Sequence, residues 1–123
     1  MQAGLKHISV MEVTQDKLAE NIGSGDMPVL ATPAMMALME NAAMLAVAPY
    51  LPEGSSTVGG QISSSHLRPT ALGKKFSAEA ELVSVEGRKL RFRISAHDEE
   101  GNLLGEGEHL RFIVEREKFL KLP

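Results

Sequence analysis

The chain holds 123 residues, 43% of them apolar and 24% charged, with a formal net charge of −3. That length and composition support one globular domain with a modest core, and exclude a disordered chain or two separate domains. The basic residues are dispersed, unlike the cationic face of a nucleic-acid-binding protein, and the lack of cysteine excludes disulfides, thiolate metal sites and a cysteine nucleophile.

The opening residues, MQAGLKHISVMEV, mix charged and apolar positions and lack the apolar core of a signal peptide. Gly4 to Val13 read as a strand, with Ile8 and Val10 among polar neighbours. The pattern is poor from Thr14 to Pro28, where a short helical turn begins at Thr14 and ends in the Gly23-Ser24-Gly25 cluster. Thr32-Pro33 is a strong helix start. A threonine oxygen can accept from free N–H groups, and proline lacks an N–H that would go unused. The helix runs through AMMALMENAAMLAVA and stops near Pro49. It is about 24 Å long at about 1.5 Å per residue, short of a bilayer core of roughly 30 Å, and it carries Glu40 centrally. No membrane span and a cytoplasmic location are therefore expected. Apart from Glu40 and Asn41 the helix is apolar nearly all round, so other structure must enclose it.

The segments that follow alternate with period two. Thr57 to Leu67 is one strand, closed by Arg68-Pro69 and the Thr70 to Gly73 turn. Lys75 to Val85 comes next, with Phe76, Ala78, Ala80 and Leu82 on one face. A Glu86-Gly87 turn leads to Arg88 to His97, which places Leu90, Phe92, Ile94 and Ala96 on one side. The Asp98 to Asn102 turn leads into Leu103 to Arg116, where lost parity between Gly105 and Gly107 predicts a bulge. One strand, one enclosed helix and a four-strand antiparallel meander make an α+β chain. About five strands curve around the central helix as in a hotdog fold, in a single domain over residues 1–123. Such a subunit is thin, so a homodimer or higher homo-oligomer is expected.

Three polar residues interrupt this apolar plan. Glu40 sits mid-helix with Met36, Met39, Ala43 and Met44 at helical spacing, and must be paired, protonated or facing a cleft. A helix edge reaching solvent and a reactive carboxylate both satisfy that condition. Period two puts His66 on the face of Val58, Ile62 and Ser64, towards the helix, as a satisfied interior histidine or as an acid–base partner of Glu40. Thr32 reads as a helix cap or as a reactive hydroxyl. It is separated from Glu40 by about 12 Å along the axis, so a shared reaction centre requires a bridging group or a partner subunit. Gly59-Gly60 either relieves crowding or admits a ligand to the backbone, where an N–H would donate to a developing oxyanion. His7, His97 and His109 read as surface or packing residues. No pair has metal-ligand spacing, and GxSxG, Walker A and GxGxxG are absent.

The stretches VLATPAMMALMENAAMLAVAPYL and STVGGQISSSHLRPTALG resemble the thioesterase family typified by fluoroacetyl-CoA thioesterase. The resemblance is close over the helix and the next strand and looser over the remaining strand order. It implies a reactive set of Thr32 in ATP, Glu40 in LMEN and His66 in SSHLRP. Glu40 would be nucleophile or general base, His66 a proton shuttle, and Thr32 a positioner of water or a stabiliser of developing charge. It further implies a substrate contact at Gly59; Gly60 beside it, and Arg68, which with Lys74 lies near the strand end where CoA phosphates would pass, are the other expected substrate contacts. The implied reaction is hydrolysis of a short-chain acyl-CoA or a related thioester, with CoA part of the substrate and no separate cofactor or metal. Asn21 to Pro28 offers no aromatic lid for a tiny acyl group, which favours a general short-chain substrate over fluoroacetyl-CoA. A non-catalytic acyl-CoA or apolar-ligand module, and a hotdog dehydratase or hydratase, are the competing readings.

Overall fold

The computed structural model describes residues 1–122. Strand β1 covers Lys6–Glu12. A 3₁₀ turn at Gln15–Lys17 leads into the short helix α1, Ala19–Ile22, which Gly23 ends in the left-handed conformation at φ 88°. The long helix α2 spans Thr32–Val47, and a 3₁₀ turn at Ala48–Tyr50, containing Pro49, terminates it. Four strands follow: β2 Ser55–Ser64, β3 Lys75–Glu86, β4 Lys89–Asp98 and β5 Leu103–Glu115. A final turn of helix, α3, covers Arg116–Phe119.

The five strands form one antiparallel sheet that curls around α2, in the order β1-β3-β4-β5-β2. Alternation dictates the inner face: Phe76, Ala80 and Leu82 of β3 and Leu90, Phe92 and Ile94 of β4 are buried against the helix. Met35, Leu38, Met39, Ala42, Ala43 and Val47 close the core from the other side. Each large side chain buried there contributes about 1.5–3 kcal/mol of hydrophobic stabilisation. This is the expected hotdog architecture, with one correction to its connectivity. The last four strands do not form a meander, because β2 pairs with β5 and leaves β3 beside β1. The chain after β2 is tied to the start of α2 through the Leu30 N–H to Thr70 carbonyl bond and the Val29–Ala71 bridge, so it cannot turn tightly into a neighbouring strand.

Two local features set side-chain directions near the helix. In β2 the register shifts between Gly59 and Gln61, making Gly60 an extra, bulged residue. Ile62 and Ser64 therefore share a face with Thr57 and Gly59, not with Val58 as uninterrupted alternation requires. In β5 the bulge falls at Leu104, just ahead of the expected glycines, where Ala96 pairs with Gly105 and His97 with Leu103. The glycines answer a different need: a side chain at Gly105 or Gly107 would overlap the carbonyl oxygen of Ser65 or Ser63 in the crossing chain.

On β1 the apolar side chains Ile8 and Val10 face outward, while Ser9 is buried and donates to the Asn41 side-chain oxygen at 2.7 Å. Asn41, the polar neighbour of Glu40 in α2, is thus spent on a structural bond between helix and sheet. Among the described residues no helix is long and apolar enough to cross a membrane.

Candidate active site

Thr32 is the first residue of α2, one position inside the expected cap. Ala31 occupies the cap, and no side chain caps the helix. The Thr32 hydroxyl is consequently free, and it lies 2.7 Å from His66 Nδ1. His66 follows the end of β2 in a stretch still tied to β5 by the Ser65 N–H to Glu106 and Leu67 N–H to Leu104 carbonyl bonds. Its other ring nitrogen, Nε2, is buried and has no hydrogen-bond partner. Burial lowers the His66 pKa below 6.5, with a backbone group of Arg68 partly opposing. Thr32 and His66 line a cavity of about 330 Å³ together with Asp26, Met27, Leu30 and Arg68. A neutral imidazole bonded to a hydroxyl, with one nitrogen unsatisfied beside a cavity, is equipped to exchange a proton with a bound group.

Glu40 lies elsewhere in the chain. Its side chain is 42% exposed, not enclosed by apolar neighbours, and its Oε2 stands 3.7 Å from Nη1 of Arg111. Arg111 is 6% exposed. Its Nε donates to the Thr57 hydroxyl at 2.9 Å and its Nη2 to the Thr57 carbonyl at 3.0 Å. Its Nη1 is also 3.2 Å from His109 Nε2, and His109 Nδ1 is 2.8 Å from the Gln61 carbonyl. A carbonyl only accepts, so neutral His109 carries its proton on Nδ1 and receives the Arg111 bond at Nε2. Burial, and next the Arg111 charge, lower the His109 pKa, while the Gln61 backbone and Glu40 oppose this.

Gly59 opens onto this cluster: a Cβ there would come within 2.7 Å of Glu40 Oε2 and 3.3 Å of His109 Cε1. Gly60 turns the other way, where a Cβ would overlap the Phe112 ring. Arg68 is exposed at the cavity rim. The single chain thus joins Thr32 to His66, with Arg68 close by, and separately brings Glu40 beside Gly59; no hydrogen bond or ion pair links Glu40 to His66 among the described residues.

Sequence reasoning missed Thr57, His109 and Arg111. His109, expected at the surface or in packing, is packed inside at 1% exposure, and its two ring nitrogens are both bonded, which that reading did not anticipate. The available signal was the spacing of His109 and Arg111, two polar residues on alternate positions of a strand. Among the described residues no group of three or more His, Asp or Glu is placed to hold a metal.

The two histidines with lowered pKa, His66 and His109, predict a pH response. Both have folded-state pKa values below 6.5, so the unfolded chain binds more protons as pH falls past that point. The stability they contribute is present above about pH 6.5 and is lost as pH falls through the folded values. Urea midpoints taken between about pH 7.5 and pH 5 should decline, and less steeply in a His66→Gln/His109→Gln variant. A midpoint unchanged or rising towards acid would contradict the neutral, buried assignment.

A curled antiparallel sheet around one enclosed helix, with a hydroxyl–imidazole pair where the helix begins, defines a hotdog-fold protein. Comparison with known proteins narrows this class. The sequence profile described as fluoroacetyl-CoA-specific thioesterase matches residues 13–117, and the chain belongs to that family. A fluoroacetyl-CoA thioesterase of Streptantibioticus cattleyicolor is 44% identical over 91 residues, an alignment covering 74% of this chain and 65% of that protein. The match thus spans slightly less than two thirds of the relative's length. A point mutant of a fluoroacetyl-CoA-specific thioesterase, solved with fluoroacetate and CoA, is 36% identical, with a TM-score of 0.87 over 97% of this chain and 99% of that one. A thioesterase superfamily member from Thermus thermophilus is 27% identical, with a TM-score of 0.88 over 96% and 87%.

Proposed function

We propose that the protein hydrolyses short-chain acyl-CoA thioesters to the free acid and CoA thiol, using Thr32, Glu40 and His66. The observation that carries this reading is the 2.7 Å Thr32–His66 bond at a cavity, with His66 Nε2 buried and unpartnered. Family membership, and a related protein solved with fluoroacetate and CoA, supply the substrate class.

The site is completed by a second copy of the chain. Thr32 and Glu40 are eight positions apart on one helix, about 12 Å along its axis, too far for their side chains to meet. In a two-fold homodimer, Glu40 of one protomer serves the Thr32–His66 pair of the other. Glu40 then takes a proton from water as the water attacks the thioester carbon, or attacks that carbon itself to form an anhydride that water cleaves. In the first route the adduct collapses with the C–S bond broken, and His66 relays to the thiolate the proton that Glu40 took from water. In the second the C–S bond breaks as the anhydride forms, and the proton released by the water that cleaves it reaches the thiolate through His66. The Gly59 N–H polarises the thioester carbonyl. Gly60 shapes this contact through its bulge, and Arg68 meets the CoA phosphates.

The segment beside the cavity, Ser24 to Met27, contributes a serine, a glycine, an aspartate and a methionine, and no aromatic ring. This supports a site open to several short acyl groups. The test is thiol release from a panel including acetyl-, fluoroacetyl-, propionyl-, butyryl- and longer acyl-CoA. Turnover should be highest among the short members, fluoroacetyl-CoA being one of several. Release confined to fluoroacetyl-CoA would refute the breadth of this assignment, and release from none would refute hydrolysis.

A further inference from the structure

We propose that Arg111, seated by Thr57 and His109, is a positioning residue that aims the Glu40 carboxylate while leaving its oxygens available for reaction. This inference rests on Glu40 being the reactive carboxylate.

The geometry is unusual for a stabilising ion pair. Burying a guanidinium is costly, and a pair kept for stability gains most from two parallel hydrogen bonds between the fork and the carboxylate. Arg111 instead spends Nε and Nη2 on Thr57, at 2.9 and 3.0 Å, and directs one Nη1 hydrogen at His109 Nε2, at 3.2 Å. Three anchors on two strands fix the plane of the guanidinium. Only Nη1 is left to face Glu40, at 3.7 Å, within ion-pair range but too long for a hydrogen bond. The carboxylate is therefore drawn to one side of its half-exposed environment without either oxygen being capped by that contact. Gly59 leaves room for it there, since any Cβ would press on Oε2. His109 acts one step further back. Its Nδ1 proton is committed to the Gln61 carbonyl beside the β2 bulge, so Nε2 must accept, and the acceptor holds Nη1 in place.

The arrangement makes a non-additivity prediction that simple structural support does not. Arg111→Met should lower kcat for thiol release about 10- to 100-fold with KM changed less than about threefold, because orientation and not binding is lost. Low-millimolar guanidinium should restore part of the rate. In a Glu40→Ala background the same substitution should cost less than about twofold further, since the group it acts through is gone. His109→Phe should behave like a milder Arg111→Met, and His109→Gln, which returns an acceptor oxygen, should recover most of the rate.

An Arg111→Met enzyme with wild-type kcat would overturn the proposal, as would a loss that persists in full in the Glu40→Ala background. If Arg111→Met does not fold, the His109→Phe and His109→Gln pair decides: equal activities overturn it. If Glu40→Ala itself keeps full activity, the reading of Glu40 falls and this inference with it. An inactive Glu40→Ala beside an unimpaired Arg111→Met removes the inference alone.

Discussion

Mixing two crippled variants, Glu40→Ala and His66→Ala, is expected to restore thioester hydrolysis to about a quarter of the wild-type rate. Each variant alone should lose at least about 100-fold in kcat, the scale of a missing acid–base group. Recovery follows from how the groups are distributed. Within one chain His66 bonds to Thr32 at the start of α2, while Glu40 faces Arg111. If each reaction centre takes Glu40 from one chain and His66 from the other, a mixed dimer has one centre lacking both groups and one intact. Random exchange makes about half the dimers mixed, and half the centres in those are complete. If both groups served from the same chain, every centre in the mixture would lack one of them. Co-expression with two affinity tags, followed by purification of mixed dimers, allows the measurement. Purified mixed dimers as inactive as the parents would rule out a centre shared between subunits.

Gly59→Ala should cost about 100-fold in kcat while leaving the fold intact. A methyl at this position would lie 2.7 Å from Glu40 Oε2, 3.3 Å from His109 and 3.5 Å from Arg111 Nη1. Of these neighbours the carboxylate yields most easily, being the half-exposed end of a flexible chain, whereas His109 and Arg111 are held by hydrogen bonds on several sides. Glu40 would be displaced by up to about 1 Å, enough to spoil a reacting geometry and too little to unfold a domain. The expected signature is a large fall in kcat with the melting temperature within a few degrees of wild type. Unchanged turnover in Gly59→Ala would show that the chemistry is indifferent to where that carboxylate sits.

Much of the fold could be read from local chemistry, because most segments obey one rule at a time. Thr32-Pro33 and Pro49 bracket the helix, and uninterrupted alternation in Phe76 to Leu82 and Leu90 to Ala96 identifies the inner face of the sheet. The reading failed where two rules meet. Gly60 is inserted into β2, so side-chain parity reverses midway and Val58 parts company with Ile62. Leu104 does the same in β5, and with that phase unknown His109 and Arg111 could not be assigned to the inner face. Pairing of β2 with β5 was hidden for another reason: partner choice depends on where the Ser65 to Lys74 connection is anchored, a long-range matter that no local pattern records. Thr32, Glu40 and His66 stood out as candidates because they are polar residues in apolar stretches of sequence and match the family resemblance. The groups that seat Glu40 did not, since a histidine and an arginine on a strand look the same whether they meet solvent or each other.

The bond between Ser9 and Asn41 bears on rotation of the central helix. A cylinder coated with methionine, leucine and alanine on every side can spin about its long axis with little change in the oily area it hides, so greasiness alone is a poor azimuthal lock. One polar peg at mid-length, adjacent in sequence to Glu40, supplies the missing torque. The compass bearing of the acidic side chain is thereby inherited from a serine on the outermost ribbon of the sheet.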